Sequence, residues 1–250
     1  STRLPGKVLK PVAGQLLIGS VFKRLSRARG IDVVLLATSV QTENDPLVDA
    51  VEKLGYPVFR GSETDVLKRY ADAAAESEAA TIVRATGDCP LIDPEVVDAV
   101  IELHREGRHQ FTTNVIPPTW PDGLDVAVFD RCILEDADRE ASREYEREHV
   151  VPWMWRQSTL EGGTRYAAGN LPCPVDLSKE RWTVDEPADL ELIERLAERL
   201  GVEFEAAGWR KILSVKSNLP GLDELNAGIE RDAGLRKSIE ETEISHDDRR

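Results

Sequence analysis

A chain of 250 residues, 41% of them hydrophobic, is long enough to bury a substantial core as one α/β domain or as a large and a small one. Its 46 acidic residues outnumber 32 Lys and Arg, and a formal net charge of −14 argues against nucleic acid as a partner, which calls for basic patches. No apolar run approaches the roughly 20 residues of a membrane span, and three scattered cysteines (Cys89, Cys132, Cys173) without C-x-x-C spacing read as free thiols of a reducing, cytoplasmic setting.

The chain opens on Ser1-Thr2-Arg3-Leu4-Pro5-Gly6-Lys7. Two cations, two hydroxyls, a rigid Pro and a permissive Gly in seven residues suit a loop that cradles a triphosphate. The glycine spacing and Gly-Lys-Ser/Thr ending of a Walker loop are missing. On residues alone a solvated basic tail fits equally well. Ile31 to Ser39 is a β-rich apolar run, a candidate buried strand. Asp45 to Leu54 reads as a helix stopped by Gly55, and Pro57-Val58-Phe59 as a short strand. Asp65 to Glu78 is Ala-rich and helical, and Ser62 with Asp65 reads as a capping box. Thr81 to Thr86 is the next strand. Asp93-Pro94 starts a helix that ends near Gly107. This alternation predicts a mainly parallel sheet with helices on both faces.

The rhythm changes near Phe111. Phe111 to Val115 and Leu124 to Phe129 read as strands around the turn-rich segment 117–123. Helices are predicted over Asp130 to Arg139 and Ser142 to Gln157, strands over Thr164 to Ala168 and Arg181 to Val184. Ala188 to Leu200 is an amphipathic helix stopped by Gly201, and Glu240 to Arg250 reads as a frayed end. Trp153, Trp155, Trp182 and Trp209 read as core or interface.

Asp88 follows a predicted parallel strand, and open α/β sheets place ligands at the carboxyl ends of their strands. A carboxylate there suits Mg²⁺ and phosphate, or merely begins a polar loop. Asp185 ends another predicted strand ahead of Pro187. It reads as a second ligand, or as a carboxylate complementing a helix dipole. Asp93 is a helix cap first. Asp122-Gly123 alone is an ordinary turn, and His149 on a helix is an ordinary packing histidine.

Several stretches together resemble the cytidylyltransferases, in particular the spore-coat polysaccharide group, which is similar to CMP-Kdo and CMP-sialate synthetases. They are Ser1 to Gln15, Phe59 to Glu63, Val83 to Pro94, Thr113-Asn114-Val115, Pro121 to Asp125, Arg147 to Val150, Arg181 to Pro187 and Asn226 to Arg231. The resemblance runs nearly end to end. It implies a three-layer α/β/α nucleotidyltransferase fold of the glycosyltransferase-A type with a small acceptor-side arm. A single domain 1–250 would divide into a nucleotide-binding half (1–110), an acceptor-side and dimerisation subregion (111–180, with 130–160 as the interface), and a part carrying the second metal aspartate (181–250).

The resemblance further implies that Ser1, Arg3, Lys7, Gly61, Arg84 and Asp88 bind nucleotide, and that Arg3, Lys7, Asp88 and Asp185 form the catalytic set. Asp88 and Asp185 would hold Mg²⁺, and Asn114, Asp125 and His149 would frame the acceptor. The substrates implied are CTP and a small acidic sugar-like acceptor, the products a CMP-conjugate and pyrophosphate, and the enzyme a homodimer. In that family a hydrophobic strand and an Ala-Arg pair precede the opening segment, so the central strand is expected upstream of Ser1. A nucleotide-sugar-dependent glycosyltransferase of the same fold, and an inactive scaffold, are the competing readings.

Overall fold

The computed structural model describes residues 3–222 and 224–247. The opening loop turns at Gly6 in the left-handed region (φ 66°), passes through a 3-10 turn at Lys7–Leu9, and enters a hairpin of β1 (Pro11–Val12) and β2 (Gln15–Leu16). Then follow α1 (Leu17–Leu25), β3 (Leu36–Ser39), α2 (Asp45–Lys53), β4 (Val58–Gly61), α3 (Val66–Glu76), β5 (Thr81–Arg84) and α4 (Pro94–Glu106). Side-chain caps place the helix starts. Asp65 accepts from the Lys68 N–H at 2.9 Å, and Asp93 from the Glu95 N–H at 2.8 Å, with Pro94 at the first helical position. Ser62 does not cap α3 itself; its hydroxyl accepts from the Asp65 N–H at 3.0 Å and steadies the residue that does.

The second half continues with β6 (Phe111–Thr113), β7 (Ala127–Asp130), α5 (Arg131–Glu140), α6 (Glu144–His149), α7 (Pro152–Gln157), β8 (Ala168–Asn170), α8 (Pro187–Leu200), α9 (Trp209–Ser217) and α10 (Ala233–Asp247). The helix expected over 142–157 is two helices. Val150 takes a positive φ of 72°, and Pro152 lacks the N–H that a continuing helix would use. Only Leu36–Ser39 of the run from Ile31 is strand, and β8 lies C-terminal to its expected place. Segment 181–184 is not a strand. Its only ladder contact is a bridge between Arg181 and Asp122, and its N–H groups are spent on other loops. The end expected to fray is helical as far as Asp247.

Strand order in the larger sheet is β5-β7-β6-β8. β7 runs antiparallel to both β5 and β6, and β6 runs parallel to β8, so three strands share one direction around a reversed one. A separate parallel pair joins β3 and β4. The sheet is therefore mostly parallel in strand direction, as expected, and is made mixed by the one reversed strand, β7.

Strand alternation puts helices on both faces. Val126 and Val128 face a core that includes side chains of α1, α4, α8 and α9. Ala127 and Phe129 face a second core built with α3, α5 and α7. That second core holds Trp153, Met154 and the partly buried Trp155, while Trp182 and Trp209 lie in the first. These tryptophans are internal packing, so the aromatic content of 130–160 gives no support to an interface there.

Candidate active site

Asp88 lies in the loop between β5 and α4, and Asp185 lies just before α8. Backbone bonds draw the two loops together. The Val184 N–H donates to the Asp88 carbonyl at 2.9 Å, and the Thr183 hydroxyl to the same oxygen at 3.3 Å. A third loop braces them, because the Trp182 and Thr183 N–H groups donate to the Asp122 carbonyl at 2.6 and 3.1 Å. Gly123 permits this approach. Its φ is 108°, and a Cβ there would lie 2.6 Å from the backbone of Trp182 and Thr183.

The two carboxylates meet on one cation. Lys7 Nζ is 2.6 Å from Asp88 Oδ2 and 2.7 Å from Asp185 Oδ1, with the Lys7 side chain only 12% exposed. Arg3 Nη2 lies 3.5 Å from Asp185, and Arg3 Nη1 3.3 Å from Glu186. Burial alone would lower the Lys7 pKa, but the charges and hydrogen bonds of Asp88 and Asp185 outweigh it and raise it. Burial likewise pushes Asp185 up, and hydrogen bonds from Lys7 and Arg181 with the Arg3 charge nearby hold it below the usual carboxylate range.

Behind Asp185 stands Arg181, whose side chain is almost fully buried. Its fork reaches three carboxylates: Nη1 to Asp122 at 2.5 Å, Nη2 to Asp185 Oδ2 at 2.8 Å and Nε to Asp189 at 3.0 Å. Asp189 also accepts from the Asp185 and Glu186 N–H groups at 2.9 and 3.0 Å and from the Asn226 amide at 2.9 Å. One Asp185 oxygen is thus fixed by Arg181, and the other is turned to Lys7.

The donor set fits a hard divalent cation, because two carboxylate oxygens already share a stand-in cation, the Lys7 ammonium. Among the described residues no three His, Cys, Asp or Glu side chains are arranged to hold a metal ion by themselves, so a bound ion would complete its shell with phosphate oxygens and water. Cys89, next to Asp88, is buried and its thiol pKa is pushed well up by that burial, so it is not an activated nucleophile.

Arg3, Lys7, Asp88 and Asp185 therefore come together, whereas Ser1 lies outside the described residues. Gly61 ends β4 beside Phe59 and Arg69, and a Cβ would lie 2.9 Å from the Phe59 ring, which gives the glycine a packing reason. Arg84 ends β5 with its Nε buried and without a hydrogen-bond partner. His149 ends α6, 3.2 Å from the Ser238 hydroxyl; burial lowers its pKa, Glu148 opposes this and Arg84 adds to it. Asn114 does not present its amide to an acceptor. It is fully buried, donates to the Leu124 carbonyl at 2.8 Å and accepts from the Val126 N–H at 2.9 Å, so it shapes the loop that carries Asp125.

Asp125 pairs with Arg231 Nη2 at 2.5 Å. Burial nevertheless pushes its pKa up to about 7 from 3.8; Arg231 pulls it down, and Asp122 and Asp232 add to the rise. The folded protein then holds a proton that the unfolded chain has released. This group's contribution makes stability fall as pH rises from about 4 to about 7. Thermal melts of wild type and Asp125→Asn across that window should show the wild type losing ground as pH rises. The opposite trend would mean that Arg231 dominates and holds the carboxyl low.

Sequence reasoning missed Arg181, Asp122 and Asp189 as site residues, and with them Arg231. The Arg-x3-Asp-x3-Asp spacing of 181, 185 and 189 was the available signal, since i and i+4 groups meet across a helix start.

Comparison with known proteins identifies the family. A family model described as cytidylyltransferase matches residues 1–206. The chain is 31% identical over 238 residues to the spore coat polysaccharide biosynthesis protein SpsF of Bacillus subtilis (strain 168), covering 91% of this chain and 94% of that protein. It is 30% identical over 233 residues to the uncharacterized protein MJ1063 of Methanocaldococcus jannaschii, covering 92% and 91%. The fold is similar to that of a cytidylyltransferase from Leptospira borgpetersenii serovar Hardjo-bovis (strain JB197), with a TM-score of 0.81, 32% identity and coverage of 89% and 91%. The chain belongs to the cytidylyltransferase family of nucleotidyltransferases.

Proposed function

We propose that this protein transfers CMP from CTP to an acidic sugar acceptor, releasing pyrophosphate, in surface polysaccharide biosynthesis. The observation that carries the reading is the shared grip of Asp88 and Asp185 on Lys7, in a loop that also brings Arg3. Two carboxylates and two cations, gathered from the loops before α4 and α8 and from the opening loop, are the parts a nucleoside triphosphate needs. Arg3 and Lys7 bind the β- and γ-phosphates and stabilise the charge that builds on the departing pyrophosphate. Asp88 and Asp185 hold Mg²⁺, which, when bound, neutralises phosphate charge and aligns the reacting groups. Arg181 fixes the rotamer of Asp185.

An acceptor oxygen attacks the α-phosphorus in line. The oxygen–phosphorus bond to the acceptor forms, the bond to pyrophosphate breaks, and a hydroxyl acceptor gives up its proton to solvent. No protein nucleophile is needed, and the buried thiol of Cys89 takes no part. Pyrophosphate release from CTP with a panel of sugar acids tests the reading. Release that requires CTP, a divalent ion and an acid together supports it. Release that is faster with UTP or GTP, or with neutral sugars, overturns it.

A further inference from the structure

The loop that carries Asp185 is braced by a residue from far along the chain. Asn226 lies beyond the span 1–206 that the family model matches, and its side chain is 4% exposed. Its amide nitrogen donates to the Arg181 carbonyl at 3.0 Å and to Asp189 Oδ1 at 2.9 Å. An amide nitrogen carries two N–H donors, and both are engaged. One side chain thus bridges residue 181 and residue 189, with Asp185 midway between them. The turn that presents it is closed by the Ile229 N–H, which donates to the Asn226 carbonyl at 3.1 Å.

Asp189 is the base on which that loop rests. It is fully buried, so its oxygens need hydrogen-bond partners inside the protein. Oδ2 accepts from the Asp185 and Glu186 N–H groups at 2.9 and 3.0 Å and from Arg181 Nη2 at 3.2 Å. Oδ1 accepts from Arg181 Nε at 3.0 Å and from Asn226. Among the described residues, Asn226 is the one donor to this carboxylate from outside segment 181–189. The other bonds hold the segment together; the Asn226 amide holds it to the rest of the fold.

The strap that presents Asn226 is itself anchored. Arg231 donates through Nη1 to the Trp120 carbonyl at 2.8 Å and through Nη2 to Asp125 at 2.5 Å, and its Nε lies 3.8 Å from Asp232. Its whole fork is engaged with the protein, so it ties the strap to the 120–125 loop. Further on, Ser238 of α10 donates to Glu148 of α6 at 2.9 Å. Asn226 therefore reaches Asp189 from a segment held on both the 120–125 loop and α6.

We infer that Asn226 is a positioning residue for the proposed metal carboxylate: by bridging Arg181 and Asp189 it sets the backbone of Asp185 and with it the affinity for the divalent ion. The inference rests on the cytidylyl-transfer reading in taking Asp185 as a metal ligand. Asn226 touches none of the reacting groups and acts through Asp189. The coupling is reciprocal, so an ion that orders the Asp185 loop also steadies the strap.

The test is Mn²⁺ binding to the nucleotide-free full chain, read by paramagnetic resonance, for wild type, Asn226→Ala and Ser238→Ala. Losing a partner that orients a metal ligand weakens binding by about 10–100-fold, and Asn226 acts one bond further out, so a loss of about five- to tenfold is expected in Asn226→Ala. Its Mg²⁺ activation constant should rise by a similar factor, with turnover recovering as Mg²⁺ is raised. Ser238→Ala loosens α10 from α6 without touching 181–189, and it should bind Mn²⁺ as wild type does. Hydrogen exchange of the wild type carries the test should Asn226→Ala fail to fold: saturating Mn²⁺ should slow exchange of the Ile229 amide by about the same factor. Equal Mn²⁺ affinity in wild type and Asn226→Ala overturns the inference. So does an equal loss in Ser238→Ala, or an Ile229 amide indifferent to bound Mn²⁺. A wild type that binds Mn²⁺ with this dependence on Asn226 but gives no response to CTP would instead count against cytidylyl transfer and leave the role of Asn226 standing.

Discussion

Lys7→Met is expected to move metal binding and turnover in opposite directions. In the structure the Lys7 ammonium sits between Asp88 and Asp185, the two carboxylates proposed to hold the divalent ion. It is nearly buried, so the pairing is not a screened surface contact. Unit charges at 4 Å interact by about 4 kcal/mol at an effective dielectric of 20, so displacing the ammonium costs a bound ion appreciable free energy. Without it, Mn²⁺ binding to the nucleotide-free protein should tighten by at least about tenfold, equivalent to about 1.4 kcal/mol. Turnover should fall on the order of a hundredfold or more, because the fixed cation proposed to stabilise the departing pyrophosphate is gone. Paramagnetic resonance titration of Mn²⁺ and steady-state pyrophosphate release measure the two effects. Unchanged Mn²⁺ affinity would mean that Lys7 and the metal do not share the carboxylates.

Arg181→Met should be among the most destabilising single changes in the protein. Three carboxylates converge on this guanidinium, two of them, Asp122 and Asp189, nearly or fully buried. Removing one partner of a buried charged network costs about 3–5 kcal/mol, because the remaining charges stay desolvated and unpaired. Denaturant unfolding should show a midpoint shift of that size. Arg181→Lys separates packing from positioning. It keeps the charge, but a single ammonium lacks the planar fork that reaches three acids. That variant should remain folded and lose about 10–100-fold in kcat, as when a partner that orients a metal ligand is removed. An Arg181→Met protein within 1 kcal/mol of wild type would show that the network is not a structural keystone.

The elements that were legible in the sequence are those whose signals are local. Asp93-Pro94 starts α4, Pro187 starts α8, and Gly55 follows α2, because caps, Pro at the first position and left-handed Gly act within one turn. Lys7 of the opening loop, Asp88 and Asp185 stood out instead through the resemblance of their motifs to a family, since they meet across long stretches of chain. What failed depends on partners distant in the chain. Arg181–Val184 has the β-rich pattern of a strand, yet its N–H groups go to the carbonyls of Asp122 and Asp88. The apolar pattern of 142–157 runs through a break that only the backbone at Val150 and the missing N–H of Pro152 reveal. Asn114 has the chemistry of a ligand, and only the fold shows its amide spent on Leu124 and Val126. Arg231 was invisible as a site residue because its partners, Trp120 and Asp125, lie more than a hundred positions away.

The central claim is that one site, built on Lys7, Asp88 and Asp185, takes CTP together with a divalent ion. A thermal-shift panel of CTP, UTP, GTP and ATP, each with and without Mg²⁺, on wild type and Asp88→Asn tests it most directly. A ligand at about 100 times its dissociation constant adds about 2.7 kcal/mol, well above detection. Stabilisation by CTP above the other nucleotides, dependent on Mg²⁺ and lost in Asp88→Asn, is the result predicted. A folded wild-type protein that responds to no nucleoside triphosphate, or responds equally with and without Asp88, would contradict it.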